Sequence, residues 1–397
     1  MRASLVLVIA SLFHRRESLA RGESQRVTCS DIGHNPAGWL AKHFSSDTTK
    51  AFDLKFYIST NWKKEPVQID TNDWSQLASS GFDTSSKTFI IIHGYFSGGQ
   101  QPWVLELKNV LLDRTYGNVI MVDWSGGSNK KNYVNAAKNT IVTSNHILNF
   151  LQRLQCQIQY LKRSPGKMLF NHLHLIGHSL GAHVCGQTGH LLKNDNFWKV
   201  DRITGLDPAK PCFTNVEINL RIDKENADFV DIIHTQIGRG FTHALGLNDA
   251  VGHIDFYMNG GYLQPECQGK TFGYNEMICS HRLATKYFIE SVRYGENCTF
   301  PAQRWDGTYT DAQVLISFFK KGWDCNSCPK LGLDAVNSSI QGVFLVLTGT
   351  HQPYCRFNAD IDLQNIIPGI TKLRECRSIF DCKKNVKLSY LPSVFPL

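Results

Sequence analysis

The chain contains a serine whose surroundings would make it a nucleophile. Ser179 lies in the G-x-S-x-G motif Gly177–Gly181, after the apolar run Leu173–Ile176 and before the small-residue stretch Gly181–Leu192. This order predicts a strand, a tight turn and a helix, a setting that holds a serine oxygen clear of the backbone. The two glycines suit so tight a turn, and the helix N-terminus favours developing negative charge. The alternative interpretation is an ordinary strand–helix junction with an incidental serine.

A nucleophilic serine needs a histidine base, and the histidine needs a carboxylate that orients it. In hydrolases with this motif the acid and then the base follow the serine along the chain. Asp207 directly follows the predicted strand Arg202–Leu206, at the end where α/β sheets carry their working residues, although Asp-Pro also suits a turn cap. His281 opens the predicted helix Ser280–Tyr294. Spacing alone does not choose it over three other histidines, His234, His243 and His253.

The elements around these residues alternate between strand-like and helix-like patterns from about residue 87 to residue 294. This alternation predicts an α/β fold with a mostly parallel central sheet and helices on both faces. Continuous apolar runs, typical of buried parallel strands, give the predicted strands Thr88–His93, Asn118–Asp123, Leu173–Ile176, Arg202–Leu206 and Phe229–His234. Three- and four-residue spacing predicts a long helix over Tyr133–Leu161. Further along, strands are predicted at Val314–Phe319 and Gly342–Leu347.

Composition restricts the class of protein. A chain of 397 residues can form one large domain or two smaller ones. The twelve cysteines show no paired C-x-x-C with histidines at zinc-finger spacing, which favours disulfides in an oxidising compartment. The formal charge of +8 comes without a dense Lys/Arg cluster interleaved with aromatics. We therefore expect no nucleic-acid binding, whereas anionic lipid surfaces or glycans suit this mild basicity.

The amino-terminal segment favours secretion. Arg2 and the apolar run Leu5–Phe13 predict a signal peptide over residues 1–20, although basic residues directly after the run are unusual. The run is too short to span a bilayer, which needs about 20 apolar residues. A misassigned start or a short uncleaved anchor is the alternative. Residues 21–357 then form the predicted catalytic domain and 358–397 a short tail, in which Cys376 and Cys382 are expected to form a disulfide.

Eight motifs in a fixed order give the chain a family resemblance. They are Ile92–Tyr95, Val122–Trp124, Gly177–His183, Ile203–Ala209, Val230–Thr235, Val251–Tyr257, Asn259–Gly261 and Cys279–His281. Together they resemble the pancreatic lipase family of secreted lipases and phospholipases A1, over about residues 29–357. The resemblance implies an α/β-hydrolase fold, with Ser179 as nucleophile, Asp207 as acid and His281 as base. It also implies an oxyanion hole formed by the backbone N–H groups of Tyr95 and Leu180.

Two segments carry mixed information on substrate. Cys267 and Cys279 match the ends of the family's lid, and the eleven residues Gln268–Ile278 between them resemble the short lids of the phospholipase A1 branch. The stretch between Thr235 and Val251 is long, as in the triacylglycerol lipases. We expect a peripheral enzyme on a lipid interface, phospholipase A1-like, with a neutral-lipid lipase as the alternative. An inactive lipid-binding protein on the same fold is the alternative of another class.

The resemblance also implies disulfides and a metal site. It suggests the pairs Cys298–Cys325 and Cys328–Cys355, while Cys185 and Cys212 are expected to be buried free thiols. Cys29 and Cys156 are left either paired or free.

The family's structural calcium site matches Leu220–Ala227. Asp223 would give a carboxylate, Arg221 a backbone carbonyl, and Asn226 replaces a carboxylate, which lowers the ligand charge. A solvated acidic loop is the alternative. No organic cofactor is required. Too few residues follow Cys355 for the family's β-sandwich domain, so a colipase partner is not expected.

Overall fold

The structure is a computed structural model. It describes Cys29 and residues 52–162, 170–193, 195, 198–238, 244–269, 273–300, 302–322, 325, 327–375 and 378–379. The predicted signal peptide and the predicted Cys376–Cys382 pair lie outside the described residues.

One sheet organises the described part of the chain. Its strands are β1 (Lys55–Thr60), β2 (Val67–Ile69), β3 (Lys87–Ile92), β4 (Gly117–Asp123), β5 (Phe170–His178), β6 (Trp198–Leu206), β7 (Phe229–His234), β8 (Ile254–Met258), β9 (Ala302–Arg304) and β10 (Gly342–Val346). The order across the sheet is β2-β1-β4-β3-β5-β6-β7-β8-β10-β9. Every pair from β4 to β10 is parallel, and antiparallel strands lie at both edges. The predicted mostly parallel sheet is therefore confirmed.

Helices cover both faces of the sheet. They are α1 (Ser75–Ser79), α2 (Pro102–Arg114), α3 (Ser125–Ser128), α4 (Tyr133–Lys162), α5 (Leu180–Leu192), α6 (Tyr274–Tyr294), α7 (Tyr309–Lys320) and α8 (Ala359–Thr371). Apolar side chains of α4 and α5 share one buried cluster, and those of α2 and α6 share another. The strands supply both clusters by alternation: Ile90 and Ile92 of β3 face the first, Phe89 and Ile91 the second.

One predicted strand is wrong. Val314–Phe319 lies inside the helix α7, not in a strand. A short apolar run does not distinguish a strand from a buried helix by periodicity alone. The helical signal lies just upstream, where the Thr308 side chain accepts a hydrogen bond from the Asp311 N–H at 3.1 Å. The buried residues of the helix recur at three- and four-residue spacing, as Ala312, Leu315, Ile316 and Phe319.

The disulfides correct three sequence-based predictions. The described bonds are Cys29–Cys212, Cys267–Cys279, Cys298–Cys355 and Cys325–Cys328. The predicted pairs Cys298–Cys325 and Cys328–Cys355 are therefore wrong, and so is the predicted free thiol at Cys212.

Local contacts explain the pairing. The Cys355 N–H donates to the Glu290 carboxylate of α6 at 2.8 Å, which brings Cys355 beside the end of the helix that leads to Cys298. Cys325 and Cys328 lie in one turn, where the Cys328 N–H donates to the Cys325 carbonyl at 3.1 Å. Cys185 is a buried free thiol as predicted, and Cys156 is free and exposed.

Candidate active site

Ser179 lies in a sharp turn between β5 and α5. It is the N-cap of α5 with φ 57° and ψ −121°, a strained conformation for a residue with a side chain. A Cβ on Gly177 would collide with the backbone of Gly181, and a Cβ on Gly181 with the carbonyl of Ile92. The Ser179 N–H donates to the Leu206 carbonyl at 3.0 Å, which ties the turn to the end of β6. The predicted strand–turn–helix around the serine is confirmed.

Asp207 and His281 meet at the carboxyl ends of the strands. Asp207 follows β6, is fully buried and has φ 43°. His281 Nδ1 donates to Asp207 Oδ2 at 2.6 Å. Asp207 Oδ1 accepts from the backbone N–H groups of Thr235, at 2.8 Å, and Gln236, at 3.1 Å. Three donors thus hold the carboxylate, and His281 is left with Nε2 to take a proton.

His178 contacts His281 through both its ring nitrogen and its ring face. Its Nε2 lies 3.0 Å from the His281 carbonyl, and the two ring centroids are 4.6 Å apart. Burial, reinforced by the neighbouring His281, holds the pKa of His178 well below its usual range. The neutral ring therefore donates its Nε2–H to the carbonyl. Sequence reasoning missed this role, although His178 is the variable residue before the serine in the motif.

The two predicted oxyanion-hole residues flank the serine. Leu180 is the first residue of α5, where backbone N–H groups have no partner within the helix. Tyr95 follows Gly94, and a Cβ on Gly94 would lie 2.8 Å from the Ser179 Cβ, so this loop packs directly against the serine. Both backbone segments therefore lie next to Ser179.

A buried histidine and tryptophan fix the loop that carries Tyr95. The Trp124 N–H donates to His93 Nε2 at 3.1 Å, which places the His93 proton on Nδ1 beside the Gly94 carbonyl at 3.0 Å. The Trp124 indole N–H donates to the His93 carbonyl at 2.8 Å. Since both rings are fully buried, the end of β3 is held rigidly against the end of β4.

The long loop after β7 folds beneath Asp207. The Gly246 N–H donates to the Gln236 carbonyl at 2.9 Å, and the Leu247 N–H to the Pro208 carbonyl at 2.7 Å. A side chain on Gly246 would collide with the Asp207 carboxylate. The described part of this loop therefore buries the acid, while residues 239–243 lie outside the described residues.

Two exposed aromatic side chains belong to segments that carry site residues: Phe96 follows Tyr95, and Tyr274 begins α6, the helix of His281. Tyr274, the first residue of α6, is 55% exposed, and Phe96 is 56% exposed. Phe96 packs edge-on against Tyr95 with ring centroids 4.6 Å apart. Burial, with a smaller contribution from Tyr274, raises the pKa of the Tyr95 phenol to about 12. Tyr274 belongs to the segment bounded by the Cys267–Cys279 disulfide, which is the predicted lid.

Arg221, Asp223 and Asn226 lie together, but they do not fit a calcium ion. The Arg221 guanidinium contacts the Asp223 carboxylate at 3.3 Å. The Asn226 side-chain oxygen accepts from the Asp223 N–H at 2.6 Å, as part of a capping box. The buried atoms left without a partner include N–H donors, Arg221 Nε and Asn226 Nδ2, which suit an acceptor and not a cation. Within the described residues no cluster of three or more metal-ligating side chains occurs.

The fold and the site together define an α/β-hydrolase: a parallel sheet, a serine in the turn after its middle strand, an acid after the next strand and a histidine further along. The chain belongs to the Lipase family, whose model matches residues 25–354.

Curated relatives agree with this assignment. Pancreatic triacylglycerol lipase of Myocastor coypus is 37% identical over 253 residues, covering 60% of this chain and 52% of that protein. The enzyme of the same name from Ictidomys tridecemlineatus is 32% identical over 78% of this chain and 67% of that protein. Pancreatic lipase-related protein 2 of Mus musculus is 30% identical, and the match covers 84% of this chain and 70% of that protein. The match with the Myocastor coypus lipase thus spans about half the length of that relative.

Similar solved structures include esterases. Est1E from Butyrivibrio proteoclasticus has a TM-score of 0.26 and 12% identity, covering 46% of this chain and 72% of that one. The Pyrococcus furiosus esterase Pf2001 has a TM-score of 0.21 and 21% identity, covering 40% of this chain and 53% of that one. Both likenesses are partial, and the fold assignment depends on the topology and the family match.

Proposed function

We propose that this protein is a serine hydrolase that cleaves carboxylic esters of lipids at a lipid–water interface. The observation that carries the proposal is the 2.6 Å hydrogen bond between His281 and the buried Asp207, beside a serine held in a strained strand–helix turn. His178, the residue before this serine, contacts His281 with ring centroids 4.6 Å apart, so the turn lies next to the histidine. The relatives named as pancreatic lipases support lipid as the substrate class.

The proposed mechanism passes through an acyl-enzyme. Ser179 Oγ attacks the acyl carbonyl while His281 Nε2 takes its proton and passes it to the leaving alcohol oxygen. Asp207 holds His281 in the tautomer that has Nδ1 protonated. A water, deprotonated by His281, then hydrolyses the acyl-enzyme. The N–H groups of Tyr95 and Leu180 would stabilise the oxyanion, each donor lowering the barrier by roughly 3 kcal/mol.

Secretion and peripheral lipid binding belong to the same proposal. Four described disulfides suit an oxidising compartment. Among the described residues, no helix has both the length and the apolar character needed to cross a bilayer. The exposed Phe96, next to Tyr95, and the exposed Tyr274, at the start of α6, would contact the lipid surface. These features support a protein that docks on lipid from the aqueous side.

The first candidate specificity is phospholipase A1-like, with release of the sn-1 fatty acid. The observation that favours it is the short lid. Only eleven residues separate Cys267 from Cys279, and Tyr274–Ile278 are already the first turn of α6. Such a lid covers little apolar surface and would leave room for a polar head group.

The second candidate is triacylglycerol lipase. The long loop from Gln236 to Ala250 and the names of the relatives favour it. In the described residues this loop is engaged in burying Asp207, so its length also has a structural reason.

A comparison of two substrates distinguishes these candidates. Fatty-acid release is measured from phosphatidylcholine vesicles labelled at sn-1 and from a triolein emulsion, with Ser179→Ala as the blank. Release mainly from the vesicles supports phospholipase A1, and release mainly from triolein supports the neutral-lipid lipase. Equal background on both substrates that persists in Ser179→Ala would contradict the lipid-hydrolase proposal and favour an inactive lipid-binding protein.

A further inference from the structure

A fully buried glutamine lies between the backbone that binds Asp207 and the helix that carries His281. Gln264 follows β8 and directly precedes the short helical turn Pro265–Cys267, where the lid begins. We propose that Gln264 is a positioning residue that fixes the peptide holding Asp207 relative to the helix that carries His281. The inference rests on the proposed serine-hydrolase function.

The Gln264 amide makes all four hydrogen bonds available to such a group. Its Nε2 donates to the carbonyls of Thr235, at 2.9 Å, and Met258, at 2.8 Å. Its Oε1 accepts from Asn259 Nδ2 at 2.9 Å and from the Tyr287 hydroxyl at 3.1 Å. Because carbonyl oxygens only accept, the orientation of this amide is fixed. A buried polar network that is fully satisfied in this way is rigid.

One of these bonds reaches Asp207 through a single peptide unit. The Thr235 carbonyl that Gln264 holds belongs to the same peptide group as the Gln236 N–H, which donates to Asp207 Oδ1 at 3.1 Å. The Thr235 N–H donates to the same oxygen at 2.8 Å. Gln264 therefore sets the tilt of the peptide that binds the carboxylate.

Two further bonds reach the helix of His281. The Gln264 backbone N–H donates to Ser280 Oγ at 3.1 Å, and Ser280 precedes His281. Tyr287, seven residues beyond Ser280 on α6, donates its hydroxyl to Gln264 Oε1. Residues seven apart share one face of a helix. Gln264 therefore binds α6 at two positions about two turns apart, one directly before His281 and one beyond it.

The expected consequence is kinetic. The Asp207–His281 bond is short, and a displacement of about 1 Å in a catalytic array can cost on the order of 10²-fold in rate. Removal of the Gln264 amide frees the peptide at Thr235 and one anchor of α6, while the lipid-binding surface is unchanged. We therefore expect kcat to fall and KM to stay nearly constant.

The test compares Gln264→Met with a matched control, Gln187→Met. Gln187 is also buried and also donates two hydrogen bonds, to Thr140 Oγ1 and the Leu220 carbonyl, but neither contacts Asp207 or His281. Both variants are assayed on a soluble short-chain ester, with the concentration of active sites fixed by phosphonate titration. We expect Gln264→Met to lose about 10- to 100-fold in kcat per titrated site, and Gln187→Met to stay within twofold.

The comparison of kcat with KM separates positioning from mere destabilisation. Loss of folded molecules lowers the titrated concentration of active sites and leaves kcat per site unchanged, whereas displacement of the Asp207–His281 pair lowers kcat per site at nearly constant KM in Gln264→Met and not in Gln187→Met. Wild-type kcat per titrated site in Gln264→Met, even with fewer active molecules, would overturn the inference.

If Gln264→Met does not fold, Ser280→Ala decides, since it removes only the hydroxyl that Gln264 holds. A several-fold lower kcat at unchanged KM supports the inference, and wild-type kcat overturns it. Ester hydrolysis by Ser179→Ala at the wild-type rate would instead contradict the proposed function, independently of the result for Gln264.

Discussion

At the residue scale, the site combines side chains that a sequence reveals with backbone groups that it does not. Ser179, Asp207 and His281 follow from motif and chain order. The Thr235 and Gln236 amides that bind Asp207 could not be predicted, because a backbone N–H has no residue-type signature and their approach depends on how the loop folds. The role of Gln264 could not be predicted for a similar reason, since a glutamine before a proline usually indicates a turn.

Asp207→Asn tests the orientation of the base. The amide would present either its N–H₂ or a weaker acceptor to His281 Nδ1 and would favour the wrong tautomer. We expect kcat on a soluble ester to fall on the order of 10³- to 10⁴-fold, as in other serine triads. Circular dichroism should show an intact fold. A loss smaller than tenfold would mean that Asp207 does not orient His281.

Buried histidines should make the protein less stable in mild acid. Burial holds the pKa values of His174, His178 and His183 below the usual range, to about 3 for His183. Below about pH 6.5 the unfolded chain binds protons at these residues and the folded chain does not, so unfolding becomes easier as pH falls. From pH 7.5 to 5.5 each histidine should remove on the order of 1 kcal/mol from the unfolding free energy. Urea denaturation at both pH values measures this, and His183→Gln should reduce the difference. Equal stability at both pH values would refute it.

At the element scale, one helix joins the lid to the base. The sequence predicts a helix from Ser280, but α6 begins at Tyr274, inside the lid region. The first turn was hidden because Tyr274–Ile278 are mixed in polarity and follow Gly273 without a side-chain cap. The strand ends were easier to predict, since a buried parallel strand is one uninterrupted apolar run. The error at Val314–Phe319 comes from the same rule applied to a helix.

Removal of the lid disulfide should disturb the base as well as the lid. Cys267→Ala with Cys279→Ala opens a bridge that spans twelve residues, whose closure contributes about 3 kcal/mol. Because Cys279 lies two residues before His281, we expect a lower melting temperature together with a lower kcat. Cys325→Ala with Cys328→Ala is the control, since that bridge spans three residues and constrains little of the chain. An unchanged kcat in the lid variant would show that the start of α6 holds without the bridge.

At the scale of the whole molecule, the chain beyond the matched family region is part of the packing. The family match ends at residue 354, yet α8 follows and buries Leu363, Ile366 and Ile370. Gln268, the first lid residue, donates its side-chain N–H to the Asn365 carbonyl at 2.5 Å. The sequence predicts only a short tail for residues 358–397. The length of a segment indicates whether it can form a domain of its own, but not whether it packs on a neighbouring domain.

Truncation after Asn358 tests this packing. It removes the three buried apolar side chains of α8 together with the buried Leu373 and Ile379. At roughly 2 kcal/mol for each of these five side chains, we expect the unfolding free energy to fall by about 10 kcal/mol. Guanidinium denaturation measures the change, and truncation after Ile379, which keeps α8, is the control. Identical denaturation midpoints for both truncations would show that α8 does not stabilise the catalytic fold.

Labelling with an alkyl p-nitrophenyl phosphonate tests the central claim most directly. The wild type and Ser179→Ala are incubated with the reagent, p-nitrophenol release is measured, and the modified peptide is identified by mass spectrometry. The proposed mechanism predicts one equivalent of adduct on Ser179, loss of ester hydrolysis in step with labelling, and no adduct in Ser179→Ala. An unlabelled wild type, or equal labelling of the variant, would contradict the assignment of Ser179 as the nucleophile.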